Sequence, residues 1–349
     1  MLRDYSTWDV DYNTQVNDIR RQLVDLATDA DGYTSVLMQG SGTFGVEATL
    51  GSVVPRDGKV LIVSNGAYGK RMVAIADRLG IDCVEVSTNE TDPPDLEQIG
   101  RALADNRQIT HLAMVHCETT TGMINPVREV GEIVARHGRS YILDAMSSFG
   151  GMTMNVDELR VDYLISSANK CIQGVPGFSF VIAKHDRLEQ SQGRARSLSL
   201  DLYDQWREME QNGGKWRYTS PTHTVLAFAQ ALRELEAEGG VEARAARYRE
   251  NHRRLVEGLE RIGLRTLLPA EFQSPIITAF FNPEDARFDF SRFYDLLKAR
   301  RFVIYPGKVS TAETFRVGTI GHVFPEDIDQ LVRHVAEVLA EMRVDLKTR

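Results

Sequence analysis

Lys170 stands in Ile165-Ser166-Ser167-Ala168-Asn169-Lys170-Cys171-Ile172-Gln173-Gly174-Val175-Pro176-Gly177, where an apolar strand gives way to a small, glycine-rich turn. A lysine delivered at the end of a buried strand is placed to form an imine with a carbonyl group. Asp144 closes a second apolar strand, Tyr141-Ile142-Leu143-Asp144-Ala145. An aspartate there can keep the nitrogen of a pyridine ring protonated while the lysine holds an aldehyde on the same ring. Each residue also has an ordinary reading: Lys170 as a solvated surface lysine, Asp144 as the cap of a turn before Ser147 and Ser148. Occurring together on strand ends, they point to pyridoxal phosphate chemistry.

Three further stretches bear on that chemistry. Gln39-Gly40-Ser41-Gly42-Thr43 precedes a helical stretch, and backbone amides and hydroxyls at a helix N-terminus can hold a phosphate dianion. Taken alone it is compatible with a plain turn, and it lacks the lysine of a nucleotide-binding P-loop. In Asn65-Gly66-Ala67-Tyr68-Gly69-Lys70-Arg71 the tyrosine emerges after a strand, where Tyr68 can stack on a flat ring or simply pack in the turn with its hydroxyl bonded. His116-Cys117-Glu118-Thr119-Thr120-Thr121-Gly122 brings hydroxyls to the same edge, with Thr119 in reach of a ring hydroxyl. The His-Cys-Glu triplet is a poor metal or thiol site, because adjacent residues in extended backbone do not all face one ion; packing under the sheet is the ordinary role for His116 and Cys117.

Toward the C-terminus, Arg316 lies within the alternating run Thr314-Phe315-Arg316-Val317-Gly318. Its guanidinium can clamp a substrate carboxylate bidentately, or close a surface or interdomain ion pair. The polar, aromatic stretch from Lys215 through Trp216, Arg217, Tyr218, Thr219, Ser220, Pro221 and Thr222 to His223 is a further candidate for contact with a phosphate or phosphonate.

The elements that position these residues follow from periodicity. Short β-branched runs at 35–38, 60–64, 83–86, 111–115, 141–144, 163–166 and 178–183 alternate with helical patterns at 44–51, 70–79, 96–104 and 127–136. That alternation predicts an α/β fold with a largely parallel sheet, whose ligands bind at the carboxyl ends of the strands. After Pro221 the texture changes to long helices at 224–238 and 241–262. A smaller α+β domain follows, with strands at 276–281, near Val303 and at 314–317, and helices at 290–300 and 325–342. The expected division is a large cofactor-binding domain over 1–235 with an N-terminal arm and a small C-terminal domain over 236–349.

Composition bounds the partners. With 349 residues, 42% hydrophobic and 26% charged, the chain is long enough for two domains around a cleft. A formal charge of -8 and a pI near 5.6 argue against a nucleic-acid surface. Cys83, Cys117 and Cys171 form neither a disulfide framework nor a paired metal signature, which suits a reducing cytoplasm. The first residues lack the apolar run of a signal peptide, and no segment reads as a membrane span. No Gly-x-Gly-x-x-Gly follows the first strand, which argues against a nucleotide-dependent dehydrogenase.

Taken together, these strings resemble the class V aminotransferases of pyridoxal-phosphate fold type I, and within that family the branch acting on 2-aminoethylphosphonate and pyruvate. Asp144-Ala145-Met146-Ser147-Ser148-Phe149-Gly150-Gly151, the Tyr218 to Thr224 stretch and Tyr305-Pro306-Gly307-Lys308 extend the likeness over nearly the whole chain. The resemblance implies pyridoxal 5'-phosphate held by Lys170 as Schiff-base residue and by Asp144 at the pyridinium. It places Tyr68 on the ring, Ser41, Gly42 and Thr43 at the phosphate, and Thr119 at the ring hydroxyl. Thr219 matches a phosphate contact contributed by a neighbouring subunit, which implies a homodimer, and Arg316 matches the arginine for the substrate anion. Alanine–glyoxylate or serine–pyruvate transamination stays open as an alternative within the family. By the resemblance, members of the family usually begin with a segment carrying a Pro-Gly-Pro motif, whereas this sequence starts at Met1-Leu2-Arg3-Asp4. The expectation is therefore either an earlier start or a missing substrate-shaping arm, the latter leaving a cofactor-binding protein of impaired activity.

Overall fold

A computed structural model describes residues 4–307, 309 and 311–346 of the chain, so Lys308 of the Tyr305-Pro306-Gly307-Lys308 string lies outside the described residues. The helix α1 (Val10–Asp25) leads into β1 (Tyr33–Gln39), α2 (Gly42–Val53), β2 (Lys59–Ser64), α3 (Ala67–Arg78), β3 (Asp82–Ser87), α4 (Leu96–Asp105) and β4 (Ile109–Val115). A short hairpin of β5 (Cys117–Glu118) and β6 (Met123–Ile124) precedes α5 (Val127–Arg136), β7 (Ser140–Asp144), β8 (Tyr163–Ser167) and β9 (Phe178–Lys184). Next come α6 (His185–Glu189), α7 (Leu202–Gln211), α8 (Thr222–Glu238) and α9 (Gly240–Arg261). The chain closes with β10 (Ile277–Phe281), α10 (Phe290–Ala299), β11 (Tyr305–Pro306), β12 (Thr314–Gly318) and α11 (Pro325–Glu341).

The central sheet has the order β1-β9-β8-β7-β4-β2-β3. The neighbours from β8 across to β3 pair in parallel, while β9 runs antiparallel to both β8 and β1. Two reversals cancel, so β1 points the same way as β8. Strands covered on both faces read as unbroken apolar runs, and every residue of β7 and β8 is buried. The alternation of strands and helices in the sequence is thus the mark of a sheet sandwiched by its own crossovers.

This topology sets where the loops go. The ends of β1, β2, β4, β7 and β8 all lie on one edge, from which start the turns that carry Ser41, Tyr68, Thr119, Asp144 and Lys170.

A second sheet, β10-β12-β11, is antiparallel throughout. Its apolar face, including Phe280 and Phe315, packs with Phe293 and Leu297 of α10, Leu255 and Leu259 of α9, and Leu331, Val335 and Val338 of α11. The core around the larger sheet draws its last residues, Val225 to Leu232, from α8. A small cluster of Cys117, Cys171, Tyr248 and Ile276 lies apart from both cores.

Candidate active site

A cavity of about 230 Å³ opens at the carboxyl edge of the central sheet, lined by Ser41, Gly42, Thr43, Tyr68, Thr119, Asp144 and Lys170 together with Arg71, Cys117, Met146 and Asn169. Residues spread over more than a hundred positions of sequence therefore face one space. Two of the expected residues do not line it. Thr219 is exposed, in the connection between α7 and α8. Arg316 is only 4% exposed, and its Nε and Nη1 donate to Pro306 O at 3.1 Å and Thr119 O at 2.6 Å. It reaches the site through the carbonyl of Thr119 rather than by projecting into the cavity. Burial lowers its pKa, partly offset by the nearby Tyr68, Tyr305 and Glu118.

The turn after β1 forms the anion-holding side. Ser41 is the N-cap of α2 in extended conformation, but its side chain makes no capping bond, which leaves the hydroxyl available to something other than its own helix. Gly42 lets the Met146 side chain close over the turn: a Cβ there would lie 2.1 Å from Met146 Sδ and displace it. Arg71 Nη1 donates to Thr43 Oγ1 at 3.2 Å, and its guanidinium lies 4.9 Å from the centre of the Tyr68 ring. This is an electropositive corner suited to a phosphate.

Across the cavity, the Asp144 carboxyl is 6% exposed and its Oδ1 accepts from Met146 N at 2.9 Å. The turn-capping role and the site role are thus the same geometry. Burial pushes its pKa up to about 6, the Met146 amide works against this, Glu118 adds to it and Arg71 opposes it. A buried carboxylate in that position favours a cationic partner, and a protonated pyridine nitrogen is one. The donor set therefore fits the phosphate, ring nitrogen and aldehyde of a pyridoxal phosphate.

Stability follows with a definite sign. A carboxyl whose folded pKa is raised binds its proton more tightly in the folded state, so its contribution is complete below about pH 4 and is lost as pH rises through 6. In protein prepared without cofactor, the loss attributable to Asp144 is about 3 kcal/mol over that window. Denaturant unfolding of this apoprotein and of its Asp144→Asn variant between pH 4 and 7.5 measures it. The variant is expected to lack the Asp144 part of the slope, and equal slopes contradict the assignment.

Sequence reasoning passed over Glu118. Its carboxyl is fully buried, with Oε1 accepting from Thr120 Oγ1 at 2.6 Å and Oε2 from Tyr68 N at 3.1 Å, so it caps the first turn of α3 and fixes the entry of Tyr68. Burial raises its pKa, against the bonds from Thr120, Tyr68 and Gly69. A Cβ on Gly66 would come within 2.4 Å of that carboxyl, so glycine is what allows the approach. Its neighbours diverge: His116 Nδ1 is bonded to Ser148 Oγ at 2.8 Å, while Cys117, packed with Cys171, Tyr248 and Ile276, also lines the cavity. Burial pushes the Cys117 thiol up to about 12, which leaves it protonated and a poor nucleophile. Arg71 carried a readable signal, since it stands three residues beyond Tyr68 on α3 and so shares its face. The approach of Glu118 to Gly66 had none in local sequence.

Fold and site define a class V aminotransferase. Residues 2–301 match the family described as Aminotransferase class-V, and the chain belongs to that family. It is 59% identical to a 2-aminoethylphosphonate–pyruvate transaminase of Syntrophobacter fumaroxidans over 339 residues, which is 97% of this chain and 91% of that one. It is 56% identical to a protein of the same name from Bacillus cytotoxicus over 338 residues, covering 97% and 92%. Among solved structures, alanine–glyoxylate aminotransferase from Nostoc sp. superposes with a TM-score of 0.87 at 27% identity, over 97% of this chain and 90% of that one. Pyridoxamine–pyruvate aminotransferase from Mesorhizobium loti does so with a TM-score of 0.89 at 21% identity, over 99% and 88%, which speaks for the fold alone.

Proposed function

We propose that the chain transfers the amino group of 2-aminoethylphosphonate to pyruvate, giving phosphonoacetaldehyde and L-alanine, with pyridoxal 5'-phosphate as cofactor. The observation that carries the chemistry is the convergence of Lys170, Asp144 and the α2 N-terminus on one cavity. The choice of substrate rests on the identity of more than half of the residues with relatives named for that reaction. When bound, the cofactor supplies an aldehyde that exchanges amines and an electron-poor ring that accepts the electron pair of a broken C–H bond.

In this reading each residue has a definite task. Ser41, Gly42 and Thr43 hold the phosphate with amides and hydroxyls. Asp144, ionised opposite a cation, keeps the ring nitrogen protonated. Tyr68 covers the ring face, its backbone fixed by Glu118, and Thr119 bonds the ring hydroxyl. Lys170 would hold the aldehyde, and its free Nζ would take the proton from the substrate carbon that bears nitrogen. Arg316, held just behind the cavity lining by the carbonyls of Thr119 and Pro306, would take the phosphonate or carboxylate of whichever substrate is present by exchanging the Thr119 carbonyl for the anion. Thr219, exposed on its own chain, serves the neighbouring cavity of a homodimer. The division at 235/236 and a cytoplasmic location belong to the same proposal. No helix among the described residues is long and apolar enough to cross a membrane.

Donor and acceptor assays test this reading. With pyruvate as acceptor, 2-aminoethylphosphonate is expected to surpass alanine and serine as donor. A preference for alanine or serine with glyoxylate supports the alanine–glyoxylate or serine–pyruvate alternative instead. Arg316→Ala is expected to raise KM for both 2-aminoethylphosphonate and pyruvate roughly 10- to 100-fold, the worth of a charge-assisted contact. Unchanged KM and kcat for both substrates remove Arg316 from anion binding.

A further inference from the structure

We propose that Arg244 and Tyr248 of α9 are positioning residues that tie the Lys170 turn to the loop that follows Arg316; the inference rests on the reading of Lys170 given above. Arg244 and Tyr248, with Arg247 and Asn251, recur at helical spacing along one face of α9. At the Lys170 side, Arg244 Nη1 donates to Cys171 O at 2.8 Å, the carbonyl next in chain to Lys170. Arg244 is 2% exposed, and its Nε and Nη2 are held by Glu238 Oε2 at 2.9 and 2.8 Å, so its direction is fixed from behind. The Tyr248 hydroxyl, on a fully buried side chain, accepts from Gln173 Nε2 at 2.9 Å in the same turn.

That same hydroxyl also accepts from Gly321 N at 3.1 Å. Arg247 donates to Gly321 O at 2.8 Å, and Asn251 Nδ2 to Thr319 O at 3.2 Å. These partners follow directly on β12, the strand that carries Arg316, and Arg316 in turn holds the carbonyl of Thr119 at the cavity. One helix face therefore bonds the turn of the reactive lysine and the segment after the anion-binding arginine. Tyr248 joins the two through a single oxygen atom. Gln173 adopts φ +67°, a left-handed conformation that a side chain other than glycine takes up only when its surroundings hold it there. A shift at either end is transmitted to the other through packed, hydrogen-bonded groups, and small misplacement of a reacting group is costly in rate.

The test uses the holoenzyme. Tyr248→Phe keeps the ring and removes both bonds to the hydroxyl. It is expected to lower kcat roughly 10- to 100-fold and to move the pH midpoint of the visible absorbance band of bound cofactor by about half a unit or more, with little change in Tm. A merely structural role lowers Tm and leaves the midpoint in place, and that result overturns the proposal, as does wild-type kcat with an unmoved midpoint. Gln173→Gly provides a second route, because glycine accepts the left-handed backbone freely while the bond to Tyr248 is lost. It is expected to show the same drop in kcat and the same midpoint shift even where Tyr248→Phe fails to fold; wild-type behaviour in Gln173→Gly also overturns the proposal. The Lys170→Ala protein separates the two levels of inference. A band that still titrates with pH as in the wild type refutes the reading of Lys170 and the proposal with it, whereas a titration that it abolishes, yet Tyr248→Phe and Gln173→Gly leave unmoved, refutes the proposal alone.

Discussion

Lys170→Ala is expected to lower kcat by roughly 10³-fold or more, because one side chain is both the covalent anchor and the proton carrier, and proton transfer alone is worth about 10²- to 10⁴-fold. The fold is expected to survive. Lys170 sits in a turn after β8, half-buried at the rim of the cavity, and the apolar side chains beside it, Ala168, Cys171 and Ile172, are buried independently of it. Steady-state turnover of 2-aminoethylphosphonate with pyruvate, with a thermal melt alongside, measures both halves of the expectation. Wild-type turnover in a well-folded Lys170→Ala protein takes the lysine out of the chemistry.

The second large effect belongs to Asp144. Asp144→Ala is expected to reduce kcat roughly 10²- to 10³-fold, the range seen when one preorganised electrostatic group is removed from an active site. Asp144→Asn separates charge from shape, because its amide oxygen can still accept from Met146 N and keep the turn. If the charge on the ring nitrogen is what matters, the asparagine variant loses nearly as much kcat as the alanine variant while binding substrates with similar KM. An asparagine variant with wild-type kcat reduces Asp144 to the cap of its turn. The apoprotein above shifts the opposite way at neutral pH, since removing a buried carboxylate relieves its desolvation. Loss of rate with gain of apoprotein stability is the signature of a group held at a cost for function.

Much of the fold could be read in advance because burial on two faces leaves a local trace. The expected helix at 127–136 matches α5 (Val127–Arg136), and the apolar runs at 141–144 and 163–166 fall within a residue of β7 and β8. The reversal of β9 left no such trace, since an apolar run is the same in either direction and only pairing with β8 and β1 decides it. Helix α1 leaves only a weak local trace: its buried positions Tyr12, Val16, Ile19 and Leu23 have helical spacing, but polar residues crowd between them. The strand expected near Val303 forms instead at β11 (Tyr305–Pro306), where pairing with β12 is available and Val303 is left exposed.

The site divides along the same line. Local sequence determined which residues carry the chemistry: a lysine and an aspartate at strand ends, a small-residue turn before a helix, and a tyrosine after a strand. Those properties depend on residue type and immediate neighbours, which a linear string contains. Only the tertiary structure decided that the turns share one cavity, that Arg316 is buried behind Thr119, that Thr219 is exposed and does not line that cavity, and that Glu118 holds Tyr68. Each of these is a meeting of segments far apart in the chain. Such meetings are set by strand order and by the packing of one segment against another, and neither is encoded at any single position.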